Sequence, residues 1–233
     1  VGVKLSAEIA AREASTDGIA WTYSPMVDIC RDARWGRIAE GNGEDPWLSG
    51  LLGRAYVQGW QGDDLSDKQT LMACLKHYAL YGAAESGRDY NTTDMSENRM
   101  FNEYLLPYQM CVEAGVGSVM TSFNDINGTP ATANRWLQND VLRDKWNFDG
   151  FIVTDYGAIR EMKAHGLGGD DVVTERALDA TVDMDMCSEL YITQLEKLLN
   201  EKRITEQQID DACRRVLQAK YRLGLFDDPY RYN

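Results

Sequence analysis

The sequence has little histidine and no paired cysteines. His77 and His165 are the only histidines among 233 residues, so a histidine-based metal site is not expected. The five cysteines are scattered, and none forms a Cys-x-x-Cys pair. The apolar neighbours of Cys74 and Cys187 indicate buried thiols rather than disulfides or zinc ligands. We therefore expect neither a metal nor another cofactor.

The sequence also lacks positive charge and long apolar runs. Its formal net charge of −13 disfavours a nucleic-acid partner, which needs a basic surface, and disfavours strongly anionic substrates. No run is long and apolar enough to cross a bilayer, and the residues that follow Val1 do not have the pattern of a signal peptide. We expect no nucleic-acid or membrane partner, and the residues alone leave the compartment open.

Short apolar runs typical of buried strands alternate with helical patterns, and the long loops follow the strands. This alternation predicts an α/β fold, either doubly wound or a barrel, and the loop pattern favours a (β/α)8 TIM-type barrel. A complete barrel needs eight strands in about 250 residues. Five strands are clear and one or two weak candidates lie in 162–173, so we expect an incomplete barrel. The predicted strands are 19–29, 71–75, 118–123, 151–155 and 182–187, and the predicted helices are 5–17, 46–60, 96–113, 134–146, 175–180, 189–200 and 206–223, the last beginning with a capping box at Thr205–Gln208.

The stretch 151–159 is the most informative part of the chain. An apolar strand ends at Asp155, and Gly157 then turns the chain into a helical segment. In strand–loop–helix folds the chemistry lies at the carboxyl ends of the strands, which makes Asp155 a candidate catalytic carboxylate. A carboxylate in this position could equally cap the following helix, and position alone does not separate the two interpretations.

The other strand ends supply charged groups that suit a sugar ligand. Each sugar hydroxyl both donates and accepts hydrogen bonds, so a sugar site needs charged donors and acceptors in fixed positions. Neighbouring cations would also keep Asp155 ionised, as a nucleophile requires. The candidates are Asp28, Arg37, Lys76, His77, Ser122 or Phe123, Asp155 and Asp185.

Each candidate also has a structural interpretation. Lys76 and His77 could form a solvated strand end, and Asp185 could be purely structural. Arg34 and Arg37 could pair with Glu40, Glu44 or Asp45 to hold their loop. The tryptophans Trp21, Trp35, Trp60 and Trp146 are expected in the core rather than under a sugar.

The order of several motifs resembles glycoside hydrolase family 3, and in particular its bacterial, periplasmic-type β-glucosidase branch. The resemblance runs along essentially the whole chain. The motifs are SPMVDI (24–29), RDARWGR (31–37), EGNGEDP (40–46), KHYALYG (76–82), VMTSFN (119–124), NGTPAT (127–132), VTDYG (153–157) and GLFDDPY (224–230).

The resemblance implies a retaining, exo-acting β-glucosidase that hydrolyses terminal non-reducing β-D-glucosyl residues through a covalent glycosyl-Asp intermediate. Asp155 would be the nucleophile, and Arg37, Lys76 and His77 would hold the glucose hydroxyls in the −1 subsite. Arg88 would be a further sugar-contacting residue, and Tyr156 would border the +1 subsite. The substrates would be β-glucosides or short β-gluco-oligosaccharides, the chemistry needs no metal, and the location would be periplasmic or secreted.

The chain departs from the family pattern in ways that bear on activity. Many members carry a tyrosine at the position of Phe123, and its hydroxyl helps to orient the nucleophile. An upstream strand with a sugar-binding Asp would precede Val1, and the acid/base Glu of this branch comes from a second, sandwich-type domain. We therefore expect residues 1–233 to form a barrel catalytic domain that lacks its first strand and ends at the linker to an absent second domain. A branch that uses an Asp-His pair in the loop after the Lys-His strand is excluded, because 82–94 contains no histidine.

Two other functions stay open from the residues. A catalytically incomplete, sugar-binding fragment would follow from the missing acid/base, for which Glu85 and Glu189 are weak candidates. A Schiff-base aldolase on the same barrel could use the Lys76 amine. An incomplete barrel also exposes sheet edges, which predicts association with a missing segment of the enzyme or with another copy.

Overall fold

The computed structural model describes residues 1–232, which fold around a parallel sheet with helices on its outer face. The three central strands are β1 (Cys74–Tyr78), β2 (Ser118–Thr121) and β5 (Phe151–Val153), hydrogen-bonded in that order. Two short strands, β3 (Asp125–Ile126) and β4 (Thr129–Pro130), form a hairpin after β2. The helices are α1 (Gly2–Thr16), α2 (Pro46–Gln61), α3 (Glu97–Arg99), α4 (Leu106–Glu113), α5 (Ala158–Glu161), α6 (Asp170–Asp179), α7 (Leu190–Asn200) and α8 (Glu206–Arg222), with π-helical segments at Met100–Tyr104 and Trp136–Lys145.

Two further segments extend the sheet through isolated bridges, all of them parallel. On one side Trp21 pairs with Met72 and Met26 pairs with Lys76, and on the other side Met184 pairs with Val153. The predicted strands 19–29 and 182–187 therefore occupy the expected places but pair over shorter lengths than predicted. The five positions follow one another in chain order, as they do in the wall of a barrel. The sheet does not close within residues 1–232.

The prediction of weak strands in 162–173 is wrong. Helix α6 begins at Asp170, five residues before the predicted start at Glu175. Val172, Val173 and Thr174 are β-branched and favour strands by propensity, but the core contacts have helical spacing. Val173 and Ala177, four residues apart, are both fully buried. The acidic residues of the first turn, Asp170 and Asp171, also favour a helix N-terminus.

The two faces of the sheet carry separate apolar clusters. Leu75, Val119 and Ile152 lie in register on the outer face and belong to the main core under the helices. Met120 and Phe151 face inward, where Ala219 of α8 and Leu223 just after this helix belong to the same cluster. Helix α8 begins with the predicted capping box, since Thr205 and Gln208 each bond the other's backbone amide.

The expectation of buried thiols holds for three cysteines and is wrong for two. Cys30, Cys74 and Cys111 are buried, whereas Cys187 and Cys213 are exposed. Cys187 lies in a turn with left-handed backbone before α7, and Cys213 follows buried Ala212 on amphipathic α8. Trp35 is fully buried, and Trp21, Trp60 and Trp146 pack partly buried against the core, as predicted. Within residues 1–232, no helix is both long and apolar enough to span a membrane.

Candidate active site

Asp155 follows β5 at its carboxyl end and is held by two different neighbours. Its Oδ1 accepts a hydrogen bond from the backbone amide of Tyr156 at 2.6 Å. Its Oδ2 lies 3.5 Å from Nε2 of His77. Gly157 takes a left-handed conformation (φ 69°) and makes the sharp turn into α5. The carboxylate does not cap α5, so the helix-cap interpretation of Asp155 is wrong. Its side chain is 14% exposed, which leaves it accessible from one side.

His77 lies on β1 and is buried, so the interpretation of this residue as part of a solvated strand end is wrong. Its side chain is 1% exposed, and its Nδ1 lies 2.9 Å from Oδ2 of Asp28. The same Asp28 oxygen accepts the backbone N–H of His77 at 2.9 Å. The Tyr108 hydroxyl contacts the other oxygen of Asp28 at 2.8 Å and the His77 carbonyl at 2.6 Å. A fully buried carboxylate therefore fixes one edge of the ring while the other edge faces Asp155.

Arg37 enters the site from the loop that follows the first sheet position. Its Nε and Nη2 donate to Glu40 Oε1 and Oε2 at 2.7 and 2.9 Å. These hydrogen bonds raise the pKa of Arg37, and the charge of Asp155 adds to the effect. The guanidinium also lies 5.7 Å from the ring centre of Tyr81. Arg34, by contrast, pairs with Asp32 rather than with any of the three carboxylates predicted for it.

Lys76 and Glu40 line a polar cavity of about 250 Å³ beside this loop, together with Asn42 and Tyr56. The Arg37 hydrogen bonds lower the pKa of Glu40, and the charges of Lys76 and His77 lower it further. Lys76 is half-buried, so the interpretation as a solvated strand end fits Lys76 better than it fits the buried His77. The cavity therefore holds a cation and an ionised carboxylate next to the histidine.

An aromatic wall, formed by Trp35, Tyr81, Phe123 and Tyr90, supports the charged groups. The Tyr81 ring lies 5.3 Å from the His77 ring and 5.2 Å from that of Trp35. Phe123 contacts Tyr81 at 5.9 Å and Tyr90 at 4.4 Å. Tyr90 is 42% exposed, and the charges of Asp89 and Asp155 add to burial in raising its pKa. Its exposed ring thus borders the open side of the candidate site.

Phe123 supplies no hydroxyl to Asp155. Among the residues 1–232, no hydrogen bond reaches the buried Oδ2 of Asp155, which agrees with the effect expected from phenylalanine at position 123. His77 Nε2, at 3.5 Å, is the polar atom that faces this oxygen.

The other predicted residues divide between exposed and structural positions. Tyr156 is 70% exposed next to the nucleophile candidate. Arg88 is exposed, and within residues 1–232 its side chain makes no hydrogen bond or ion pair. Asp185 is structural, as its alternative interpretation predicted, because it accepts the amide of Leu190 at the start of α7 at 2.9 Å. Ser122 is buried and donates to the Ala79 carbonyl at 3.0 Å.

Two features of the site were not predicted. They are the Tyr108 contact to Asp28 and the position of Tyr90. The pairing of Arg37 with Glu40 (the Glu40 clamp) was one of the alternatives predicted for this loop, and it is confirmed. Asp28 stood among the candidates, but no partner was predicted for it. A lone carboxylate between Val27 and Ile29 was the available signal, since a buried carboxylate needs hydrogen-bond donors. In chemical terms, the arrangement combines an accessible carboxylate with fixed cations and one open side, which suits a polyhydroxylated ligand.

The chain belongs to glycosyl hydrolase family 3, whose N-terminal domain matches residues 2–219. It is 46% identical to a periplasmic β-glucosidase of Salmonella typhimurium over 99% of this chain and 30% of that protein. It is 38% identical to a β-xylosidase of Formosa agariphila over 97% of this chain and 33% of that protein. The chain therefore spans about a third of the length of the relatives it matches.

The solved structures that are similar to this chain include β-glucosidases. The fold matches a β-glucosidase of Listeria innocua in complex with glucose at a TM-score of 0.96 and 44% identity, over 98% of this chain and 32% of that one. A D270A mutant of that enzyme in complex with laminaribiose matches at a TM-score of 0.97 and 44% identity, over the same shares of the two chains. The predicted family and the predicted α/β TIM-type barrel are confirmed.

Proposed function

We propose that this chain carries the nucleophile and most of the −1 subsite of a retaining, exo-acting β-glucosidase. The observation that supports this most directly is Asp155 at the end of β5, with His77 Nε2 at 3.5 Å from one oxygen. Retaining hydrolysis needs a carboxylate nucleophile that stays ionised, and nearby cations favour that state. Arg37, Lys76 and His77 would hold the glucose hydroxyls, while Arg88 and Tyr156 would contact the sugar from the exposed side.

The proposed reaction has two displacements. An Asp155 oxygen attacks the anomeric carbon, and the bond to the leaving oxygen breaks as an acid protonates it. The conjugate base of that acid then takes a proton from water, whose oxygen attacks the anomeric carbon from the face that the leaving group vacated, opposite Asp155. The bond between the sugar and Asp155 breaks, which releases glucose and restores both the carboxylate and the acid. The acid/base would have to lie about 5–5.5 Å from the nucleophile. We propose that residues 1–233 are the barrel catalytic domain and that this group comes from a second domain of the protein.

We propose β-glucosides and short β-gluco-oligosaccharides as substrates. The similarity to glucosidases at 44–46% identity, against 38% for the xylosidase, favours glucose over xylose at the −1 subsite. Comparison of kcat/KM for aryl β-glucoside and aryl β-xyloside tests this preference. Membership of a hydrolase family argues against a Schiff-base aldolase that uses the Lys76 amine.

The decisive test is intact-mass spectrometry after incubation with 2-deoxy-2-fluoro-β-glucosyl fluoride. Fluoride leaves without protonation, so the reagent examines the nucleophile and the sugar subsite without needing the acid. We expect one fluoroglucosyl adduct, mapped by peptide analysis to Asp155 and absent from Asp155→Asn. An adduct on another carboxylate would contradict the assignment. Glucose binding by calorimetry without any adduct would instead favour the sugar-binding alternative.

We also propose a periplasmic or secreted location. The similarity to a periplasmic enzyme supports this proposal.

We further propose that the 233-residue chain associates with another copy or with a further segment of the enzyme. Exposed apolar side chains support association, namely Trp47 and Leu48 on α2 and Tyr221 and Tyr230 near the end of the chain. Light scattering of the 233-residue chain tests this, since a stable monodisperse monomer would contradict it.

A further inference from the structure

A buried chain of polar contacts leads from α4 to the nucleophile candidate. The Tyr108 hydroxyl lies 2.8 Å from Oδ1 of Asp28, and Oδ2 of Asp28 lies 2.9 Å from Nδ1 of His77. Nε2 of His77 in turn lies 3.5 Å from Oδ2 of Asp155. The Asp28 side chain is 0% exposed, so water cannot replace these contacts. Nothing in the chemistry proposed above uses Asp28 or Tyr108.

The geometry fixes the hydrogen positions on the imidazole ring. Asp28 Oδ2 already accepts the His77 backbone N–H, and an ionised carboxylate only accepts hydrogen bonds, so Nδ1 carries a proton. A ring protonated only at Nδ1 would turn the lone pair of Nε2 toward a carboxylate oxygen of Asp155. A proton on Nε2 converts this repulsion into an attraction. The ring therefore fits its surroundings best as an imidazolium between two carboxylates.

The other charged and titratable groups around His77 agree with this state. Glu40 is close enough for the charge of His77 to help lower its pKa, and it is neutralised mainly by Arg37. Lys76 is the preceding residue and adds a second cation. The phenols of Tyr81 and Tyr108 have pKa values raised by burial, so they stay neutral around pH 7. Asp28 is thus the fully buried anion that balances the ring from its rear edge.

We infer that Asp28 is a positioning residue that keeps His77 doubly protonated, with its Nε2–H directed at Asp155 and at a sugar hydroxyl bound beside it. This inference rests on the proposed glucosidase function. The imidazolium would hold Asp155 ionised and orient the attacking oxygen. Loss of the Nε2 proton would then place a lone pair against the nucleophile and slow formation of the glycosyl-enzyme.

The test uses the protein expressed from its complete reading frame. The rate constant for inactivation by 2-deoxy-2-fluoro-β-glucosyl fluoride is measured against pH. Because fluoride needs no acid, a basic limb in this profile cannot come from the acid/base residue. We expect the wild-type rate to fall as the Nε2 proton is lost, at a pH below the range in which lysine titrates. A wild-type profile without a basic limb below that range would overturn the inference, even if Asp155 is labelled normally.

Asp28→Asn removes the charge while it keeps the shape of the side chain. We expect the basic limb to move down by about one pH unit or more, because the imidazolium loses its counter-ion. We expect the labelling rate at neutral pH to fall roughly 10- to 100-fold, as for other residues that orient a functional histidine. An Asp28→Asn protein that folds and shows the wild-type limb would also overturn the inference.

Two controls separate positioning from general stability. Tyr108→Phe removes the hydroxyl from the other Asp28 oxygen but leaves the carboxylate against Nδ1, so it should lower Tm and leave the basic limb in place. His165→Gln breaks the second histidine–aspartate pair, His165 Nδ1 to Asp125 Oδ2 at 3.0 Å, and should not move the limb. If Asp28→Asn does not fold, the wild-type profile decides the question. Absence of any adduct at Asp155 at all pH values would instead refute the proposed function itself.

Discussion

Glu40 accepts both hydrogen bonds of the Arg37 fork, one on each carboxylate oxygen. The pair is open to solvent, since the Glu40 side chain is 46% exposed, so it contributes little to the free energy of unfolding. Its role is geometric. A guanidinium held by a planar, bidentate partner presents its remaining N–H groups in a fixed direction.

We expect Glu40→Gln to weaken glucose binding about tenfold while it changes the free energy of unfolding by less than about 1 kcal/mol. The released Arg37 would have to be ordered when the sugar binds. Calorimetry gives the affinity and urea titration gives the stability. Asp32→Asn is the matched control, because it breaks the exposed Arg34 pair of the same loop. Equal loss of affinity in both variants would mean that the loop as a whole matters, rather than the clamp.

The same pair predicts a pH dependence. Arg37 holds the pKa of Glu40 below its ordinary value of 4.5, with smaller contributions from Lys76 and His77. The clamp is therefore complete above pH 4.5 and is lost as the pH falls through the lowered pKa. Glucose affinity of the wild type should decline in that acid range, and Glu40→Gln should lack this component. Identical acid profiles for the two proteins would refute the clamp.

Asp183 is expected to be a main support of the fold below the site. Its side chain is fully buried and accepts hydrogen bonds from Arg143, Arg215 and the Ile152 amide, each at 2.7 Å. Asp183→Asn leaves buried cationic charge without a partner and should cost about 3–5 kcal/mol in urea unfolding. Asp149→Asn breaks the exposed Arg222 pair instead and should cost no more than about 1 kcal/mol. A similar cost for both would show that burial of Asp183 does not govern its contribution.

Tyr90 should act on the leaving-group side. Its exposed ring packs on Phe123 at 4.4 Å beside the nucleophile candidate. An aromatic contact of this kind contributes about 0.5–1.5 kcal/mol. Tyr90→Ala should therefore lower kcat/KM for an aryl β-glucoside by roughly 2- to 10-fold. The inactivation rate with fluoroglucosyl fluoride, whose leaving group is a single atom, should hardly change.

Tyr90→Phe serves as the control for that prediction, because it keeps the ring and removes only the hydroxyl. It should behave like the wild type with both compounds. A rate with the fluoride that falls as much as the aryl glucoside rate would place Tyr90 in the sugar subsite rather than beside it.

The sequence predicted positions better than it predicted contacts. Asp155 and His77 could be placed at strand ends because a buried parallel strand leaves a short, recognisable apolar run. Strand extent was less accurate, since pairing at 19–29 and 182–187 depends on neighbours far along the chain. The first residues of α6 were not predicted as helix, and the β-branched residues among them have a low helix propensity.

Side-chain partners were the least predictable part of the site. Arg34 pairs with Asp32, two residues away, rather than with a carboxylate of the EGNGEDP motif (40–46). Nothing local to Asp28 indicates that Tyr108 would meet it in the core. Such contacts are fixed by how α4 packs on β1, and packing is a property of the assembled fold.

The chain-order arrangement of the sheet has a consequence for how this molecule acquires its structure. Each strand position joins a neighbour that was synthesised just before it, so the wall can grow in the direction of translation with little loop closure at each step. The cluster around Asp28 is different. His77 follows Asp28 by 49 residues and Tyr108 follows it by 80 residues. Both partners are therefore synthesised well after the carboxylate that they contact. Asp28 is buried with its hydrogen bonds made only once both partners have packed around it, so we expect the cluster to form late in folding. The late phase of refolding should therefore coincide with recovery of sugar binding rather than with recovery of helix content.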